Sequence, residues 1–146
     1  MKSISVRIKK AHPGILSPVY KTDGSAGCDI HASENVTIPV GETALVPTGL
    51  FVEVPEGFEC QARPRSGLAL NDSVTVFNSP GTVDSDFRGE MKILLVNHSK
   101  KPYEVVAGSR VAQLVFAPVM QAKFTVVDEL SETPRGFGGW GSTGVS

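Results

Sequence analysis

"LFVEVPEG" occupies residues 50–57. Leu50, Val52 and Val54 alternate with Phe51 and Glu53, and "PEG" then interrupts the run. Successive side chains on an extended chain point to opposite faces, so this spacing predicts a half-buried strand. Proline and glycine cannot continue it and predict a turn. The same pattern recurs at Ile4, Val6 and Ile8, at Val36, Ile38 and Val40, and at Met91, Ile93 and Leu95. "RVAQLVFAPV" (110–119) and "KFTVV" (123–127) also read as strands. "HPG", "TDGSAG", "NSPG" and "AGS" supply turns between them, and 15 glycines and 10 prolines suit many short strands better than helices. The expected architecture is all-β, a sandwich or barrel of short strands. One stretch departs from it: "SGLALND" (66–72) places helix formers after Ser66, a residue type that caps helices. The strand pattern lapses near Ser131. We therefore expect one β domain over residues 1–130 and a flexible, glycine-rich C-terminal arm over 131–146.

Composition narrows the function classes. The 146 residues suffice for one domain without a disulfide or metal staple. A net charge of -1 supplies no basic field for duplex DNA or an anionic membrane, so neither is expected as a partner. "MKSISVRIKK" has no continuous apolar stretch of the kind a signal peptide needs, and the expected location is the cytoplasm. Cys28 and Cys60 are expected as free thiols there. A metal site joining Cys28, His31, Cys60 and His98 fails on geometry. Residues 28 and 31 point to opposite faces of a strand.

Several stretches carry polar groups in odd places. In "RGFGGWGSTG" (135–144), Gly136 and Gly141 precede Ser142 and Thr143, nearly a phosphate loop but without its lysine. Convergent glycine amides, two hydroxyls and Arg135 suit an anion, and the same glycines suit a disordered end. Trp140, the only tryptophan, is foreign to disordered tails. In "ARPRSGLAL", Arg65 stands before Ser66 at a helix start, either an anion site or an ordinary cap. "TVFNSPGTVDSDFRGE" reads as a β-hairpin, with Asn78 able to donate and accept at a base edge. Asp84 and Asp86 share a face if that strand is regular. Gln113 falls in an apolar register with Val111 and Val115, which costs about 1–3 kcal/mol unless its amide is partnered. Asp29 follows a glycine turn in "AGCDIHA" and reads as a turn residue or a carboxylate ligand.

Taken in order, "AGCDIHA", "PRSGLA", "NSPGTVDSDFRGE", "GSRVAQLVF" and "RGFGGWGSTG" resemble the five motifs of the trimeric dUTPase family. The resemblance covers nearly the whole chain. It implies a jelly-roll-like fold, a homotrimer with shared active sites, Mg²⁺, and hydrolysis of dUTP to dUMP and pyrophosphate. That reaction limits uracil in DNA and supplies dUMP for thymidylate synthesis. It also implies roles. Asp84 would activate the water that attacks the α-phosphorus, and Gln113 would help hold that water. Arg65, Ser66 and Gly67 would bind phosphates. Asp29 would support the metal through water. Asn78 with the backbone of Gly81, Thr82 and Val83 would form the uracil pocket, with Phe87 under the deoxyribose. Arg135, Phe137, Gly138, Gly139, Trp140, Gly141, Ser142 and Thr143 would close over the substrate. Phe87 stands where the family commonly has tyrosine and Trp140 where it commonly has phenylalanine. The first loses a hydroxyl, while the second keeps a ring able to stack on a base for about 1–3 kcal/mol. The related dCTP deaminases, a non-catalytic nucleotide binder and a purely structural sandwich are the competing readings. The water-holding pair speaks against the second, and the glycine arm against the third.

Overall fold

The computed structural model describes residues 2–145, so Ser146, the last residue of the expected arm, lies outside them. The strands are β1 (Arg7–Lys10), β2 (Cys28–His31), β3 (Val36–Ile38), β4 (Thr43–Glu53) and β5 (Phe58–Arg63). A short helix, α1 (Ser66–Asp72), is followed by β6 (Val74–Val76), β7 (Gly81–Val83), β8 (Glu90–Asn97), β9 (Tyr103–Val105) and β10 (Arg110–Pro118). They form two four-stranded antiparallel sheets, β1-β4-β8-β6 and β2-β10-β5-β7, and a two-stranded ribbon, β3-β9. The fold is all-β, as the spacing predicted, and jelly-roll-like, as the resemblance implied. One continuous core lies between the sheets. Val46, Leu50, Val52, Ile93 and Leu95 come from the first, Cys28, Ile30, Cys60, Ala62 and Leu114 from the second, and Ile38 and Val105 from the ribbon.

The stretch 50–57 behaves as its alternation requires: Leu50, Val52 and Val54 are buried. Just before it, β4 carries extra residues between Pro47 and Phe51, where the register against β8 shifts. The ladder bonds lost at this bulge are replaced by side chains. The Thr48 hydroxyl donates to the Met91 carbonyl at 2.5 Å and accepts from Leu50 N–H, and Glu90 accepts from Gly49 N–H at 3.0 Å. Gly49 has φ 66, and a Cβ there would meet the Ile15 side chain at 2.4 Å.

Four local expectations change. The Ile4, Val6 and Ile8 run is not half-buried: β1 starts only at Arg7, and as an edge strand it leaves Ile4 and Ile8 exposed. Val74–Val76 and Gly81–Val83 are not a hairpin. β6 pairs with β8 and β7 with β5, so the Asn78–Pro80 turn carries the chain from one sheet to the other. Val76 and Val83 then pack on one core from opposite layers. "KFTVV" forms no strand, because no edge within the chain pairs with it. Met120, Phe124 and Val126 are almost fully exposed. Ser66 is the first helical residue, not the cap; Arg65 holds that position with extended backbone and no capping side-chain bond.

Asn97 joins the ribbon to the first sheet. It is fully buried, its amide donating to the carbonyls of Ile38 (3.0 Å) and Lys101 (2.8 Å) while its oxygen accepts from Ser99 N–H (2.9 Å). Asn97→Ala leaves these groups unpaired and is expected to cost about 1–3 kcal/mol. A urea unfolding midpoint that does not fall would show that the joint carries no stability.

Candidate active site

The register of β10 sorts the chemistry of the second sheet. Leu114 lies between Cys28 and Ala62, all three buried, while the neighbouring Gln113 lies between Asp29 and Arg63. Asp29, Gln113 and Arg63 therefore share the outer face. The apolar register read for Gln113 is only apparent. An extra residue between Arg110 and Ala112 shifts the alternation by one, and Val111 joins the core.

On that outer face Asp29 is a strand residue and not a turn. Its side chain is mostly buried. Oδ1 accepts from Arg65 Nε at 3.1 Å and Oδ2 from Arg110 Nη1 at 3.0 Å. Arg65 Nη1 also donates to the Arg110 carbonyl at 3.4 Å. Two guanidinium charges against one carboxylate leave an excess of positive charge with N–H groups to spare, a setting suited to phosphate. Arg110 carries no signal of a role in the sequence. Its partner lies 81 residues away, and no local signal joins them. Gln113 Nε2 donates to the Pro64 carbonyl at 2.9 Å, while Oε1 packs against Gly27, where a Cβ would sit 2.2 Å from it. Gly27 was likewise missed as a site residue. Ser66 and Gly67 are exposed beside Arg65 at the start of α1. Burial pushes His31 below the usual histidine range, and its buried Nδ1 has no partner.

A second group surrounds a cavity of about 380 Å³. Asn78, Gly81, Thr82, Val83, Asp84 and Phe87 line it, against apolar walls from Ala62, Val76 and Ile93. That volume is in the range of small-ligand sites. β7 ends at Val83, so Asp84 and Asp86 do not share a strand face. Asp84 opens a turn in which Phe87 N–H donates to its carbonyl at 3.2 Å. Asp84 is exposed. A Cβ on Gly89 would meet the Phe87 ring at 2.7 Å, so glycine there lets the ring fold back.

The two groups do not meet within one chain. Val83 is level with Cys60 and Phe116, three residues past Gln113 and two strands away. With ~3.3 Å per residue and ~4.8 Å between strands, that is about 14 Å. One water cannot bond both Asp84 and Gln113 over such a gap. The arm reaches neither group. Phe137 and Trp140 are fully exposed, Arg135 Nε donates to the Gly138 carbonyl at 2.9 Å, and the amides of Gly136, Gly138, Ser142 and Gly144 close local turns. The two cysteines face the core, both free and buried, and burial pushes the Cys60 thiol up to about 12. Neither is a nucleophile at neutral pH. No helix among the described residues is long and apolar enough to cross a membrane.

Comparison with known proteins identifies the family. The dUTPase family matches residues 15–144. A deoxyuridine 5'-triphosphate nucleotidohydrolase of Picosynechococcus sp. is 54% identical over 140 residues, covering 96% of this chain and 99% of that one. Among solved structures, the Staphylococcus bacteriophage 80alpha dUTPase with dUPNHPP superposes with a TM-score of 0.90 at 24% identity, covering 98% of this chain and 100% of that one. A dUTPase variant from phage phi11 of S. aureus, described as coordinating a structural Mg(II) ion, gives a TM-score of 0.81 at 20% identity, covering 88% and 100%.

The Gly27–Gln113 contact makes a prediction. Gly27→Ala forces the Gln113 amide off the Pro64 carbonyl without entering the core. The variant is expected to melt within a few degrees of the parent while turnover falls about 10²-fold, the scale of a misplaced catalytic group. Native turnover would show that the amide needs no such seat.

Proposed function

The chain belongs to the dUTPase family and is a hydrolase acting on dUTP, and from that premise we propose how its side chains divide the reaction. The uracil edge takes hydrogen bonds from Asn78 and the backbone of Gly81, Thr82 and Val83, in a cavity that suits a nucleoside. A thymine 5-methyl would clash there, and groups built for one base edge penalise another by leaving partners unpaired. Phe87 packs under the deoxyribose and leaves no room for a 2′-hydroxyl. Asp84 takes the proton of the water whose oxygen bonds the α-phosphorus as pyrophosphate leaves. Gln113 Nε2 is committed to Pro64, so Oε1 is the atom left to accept from that water.

The observation that carries this proposal is the separation of the Asp84 cavity from the Gln113–Arg65 cluster. Each is well formed, and neither is a complete site. A second copy of the chain brings one against the other, and the homotrimer with shared sites that the family resemblance implies, working in the cytoplasm, supplies such copies. The exposed segment after Pro118 gives the arm, residues 131–146, the reach to close over a neighbour. On closure its local turns open and its amides, with Arg135, Ser142 and Thr143, bind phosphates beside Arg65, Ser66 and Gly67. Trp140 then covers the base, with Phe137, Gly138, Gly139 and Gly141 completing the lid.

Mg²⁺ fits this chain as a cation carried mainly by the triphosphate. Both Asp29 oxygens are engaged by arginines, and no group of three or more His, Cys, Asp or Glu among the described residues could hold a metal. A hard cation carried by the triphosphate needs no protein cage, and Asp29 would support it through water. When bound, it neutralises triphosphate charge. The protein's own contribution is to position the water and to stabilise the leaving pyrophosphate.

Asp84→Asn is expected to bind dUTP normally and lose about 10²–10⁴-fold in turnover, the scale of a lost general base. Mixed trimers refolded from Asp84→Asn and Gln113→Ala chains should regain activity, because some sites then combine both native residues. No recovery would return each site to a single chain. Deleting residues 134–146 should leave melting unchanged and lower kcat/KM at least about 10²-fold, the scale of lost preorganised donors. Full activity of that truncation would remove the arm from the reaction.

A further inference from the structure

Between the end of β7 and the start of β8 the chain runs through six residues with one backbone bond, Phe87 N–H to the Asp84 carbonyl. This segment carries both Asp84 and Phe87, and it is exposed over most of its length. Exposed turns of this kind are mobile unless something ties them down. Arg88 does so. Its Nη1 donates to the Ser85 carbonyl at 2.7 Å and to the Phe87 carbonyl at 2.9 Å. Its Nη2 lies 4.0 Å from Glu53 on β4, and Glu53 also pairs with Arg7 on β1. The guanidinium thus spans from the turn to the rigid first sheet.

Arg88 does not face the substrate cavity. It lines a separate groove of about 400 Å³ with Arg7, Lys9, Phe51 and Glu53, while Asp84 and Phe87 line the cavity on the other side of the turn. We propose that Arg88 is a positioning residue for this reaction: it clamps the Ser85 and Phe87 carbonyls from behind and so fixes the Asp84 carboxylate relative to the bound sugar. The inference rests on Asp84 as the base. A planar fork holds two carbonyls while its other nitrogen stands 4.0 Å from the Glu53 carboxylate, and a lysine ammonium carries the charge without that geometry.

The test compares Arg88→Ala, Arg88→Lys and Asp84→Asn in the full chain, reading kcat, KM for dUTP and melting. Arg88→Ala should lower kcat about 10²-fold with KM moved much less, because a small misplacement of a reacting group is that costly. Guanidinium ion added at concentrations that leave melting unchanged should restore part of kcat, and ethylammonium should not. Arg88→Lys should remain as slow as Arg88→Ala. Native kcat in Arg88→Ala, or full recovery in Arg88→Lys, overturns the clamp. If Arg88→Ala does not fold, Arg88→Lys decides alone, since it keeps the charge opposite Glu53. Turnover retained in Asp84→Asn would remove the base itself, and with it what the clamp holds. Loss there alongside native Arg88 variants would reject the clamp alone.

Discussion

The pairing register of β10 is the constraint on which this molecule depends. Leu114 and Gln113 are adjacent, and only one of them can face the core. A slip of one residue against β2 and β5 would drive the Gln113 amide between the sheets and expose Leu114. The observed register satisfies both. It lays Leu114 against Cys28 and Ala62, and it lines up Asp29, Gln113 and Arg63 on the outer face. The bulge at Val111 then brings the core back into phase below the site and leaves Arg110 beside Asp29. Hydrophobic packing on one side of this sheet is what aims the polar groups on the other.

The same sandwich explains why the chemistry stands at two separate places. A sheet whose inner face is filled can offer polar groups on its outer face or at its ends. The cationic cluster uses the outer face of the second sheet, and the cavity uses its end, where β7 gives way to the Asp84 turn. Antiparallel strands of fixed spacing put Val83, next to Asp84, about 14 Å from Gln113 along the backbone. Apolar side chains at Met120, Phe124 and Val126 lie uncovered on the segment that leads to the arm. Assembly of copies answers both facts at once. In the proposed trimer it would give the water a base and an amide from different chains, and it would give the trailing segment a surface.

Legibility in the sequence followed the range of the interaction. The period-two runs located β3, β4 and β8, because alternation is set by each residue's neighbours, but Ile4 and Ile8 stay exposed and the core strands β2 and β5 were missed. Asp84, Asn78 and Phe87 were readable as one group, since all lie within ten residues and line one cavity. The hairpin reading of 74–83 failed for a related reason. Turn residues mark a change of direction but do not say which partner each strand takes, and here the partners are in different sheets. "KFTVV" has strand composition and no edge to join. Arg110 and Gly27 carried no signal, since their importance lies in contacts with Asp29 and Gln113 made only after folding.

By itself, then, the sequence determined the class of fold, many of the places where the chain turns, and most of the polar side chains that the candidate site draws on. These follow from local backbone geometry and from side-chain chemistry that each residue carries wherever it sits. The tertiary structure alone decided which of two neighbours faces the core, that Asp29 holds two arginines, and that Asp84 and Gln113 of one chain stand apart. Those facts depend on strand partners, bulges and sheet spacing, which belong to pairs of distant segments and to no single stretch of the chain.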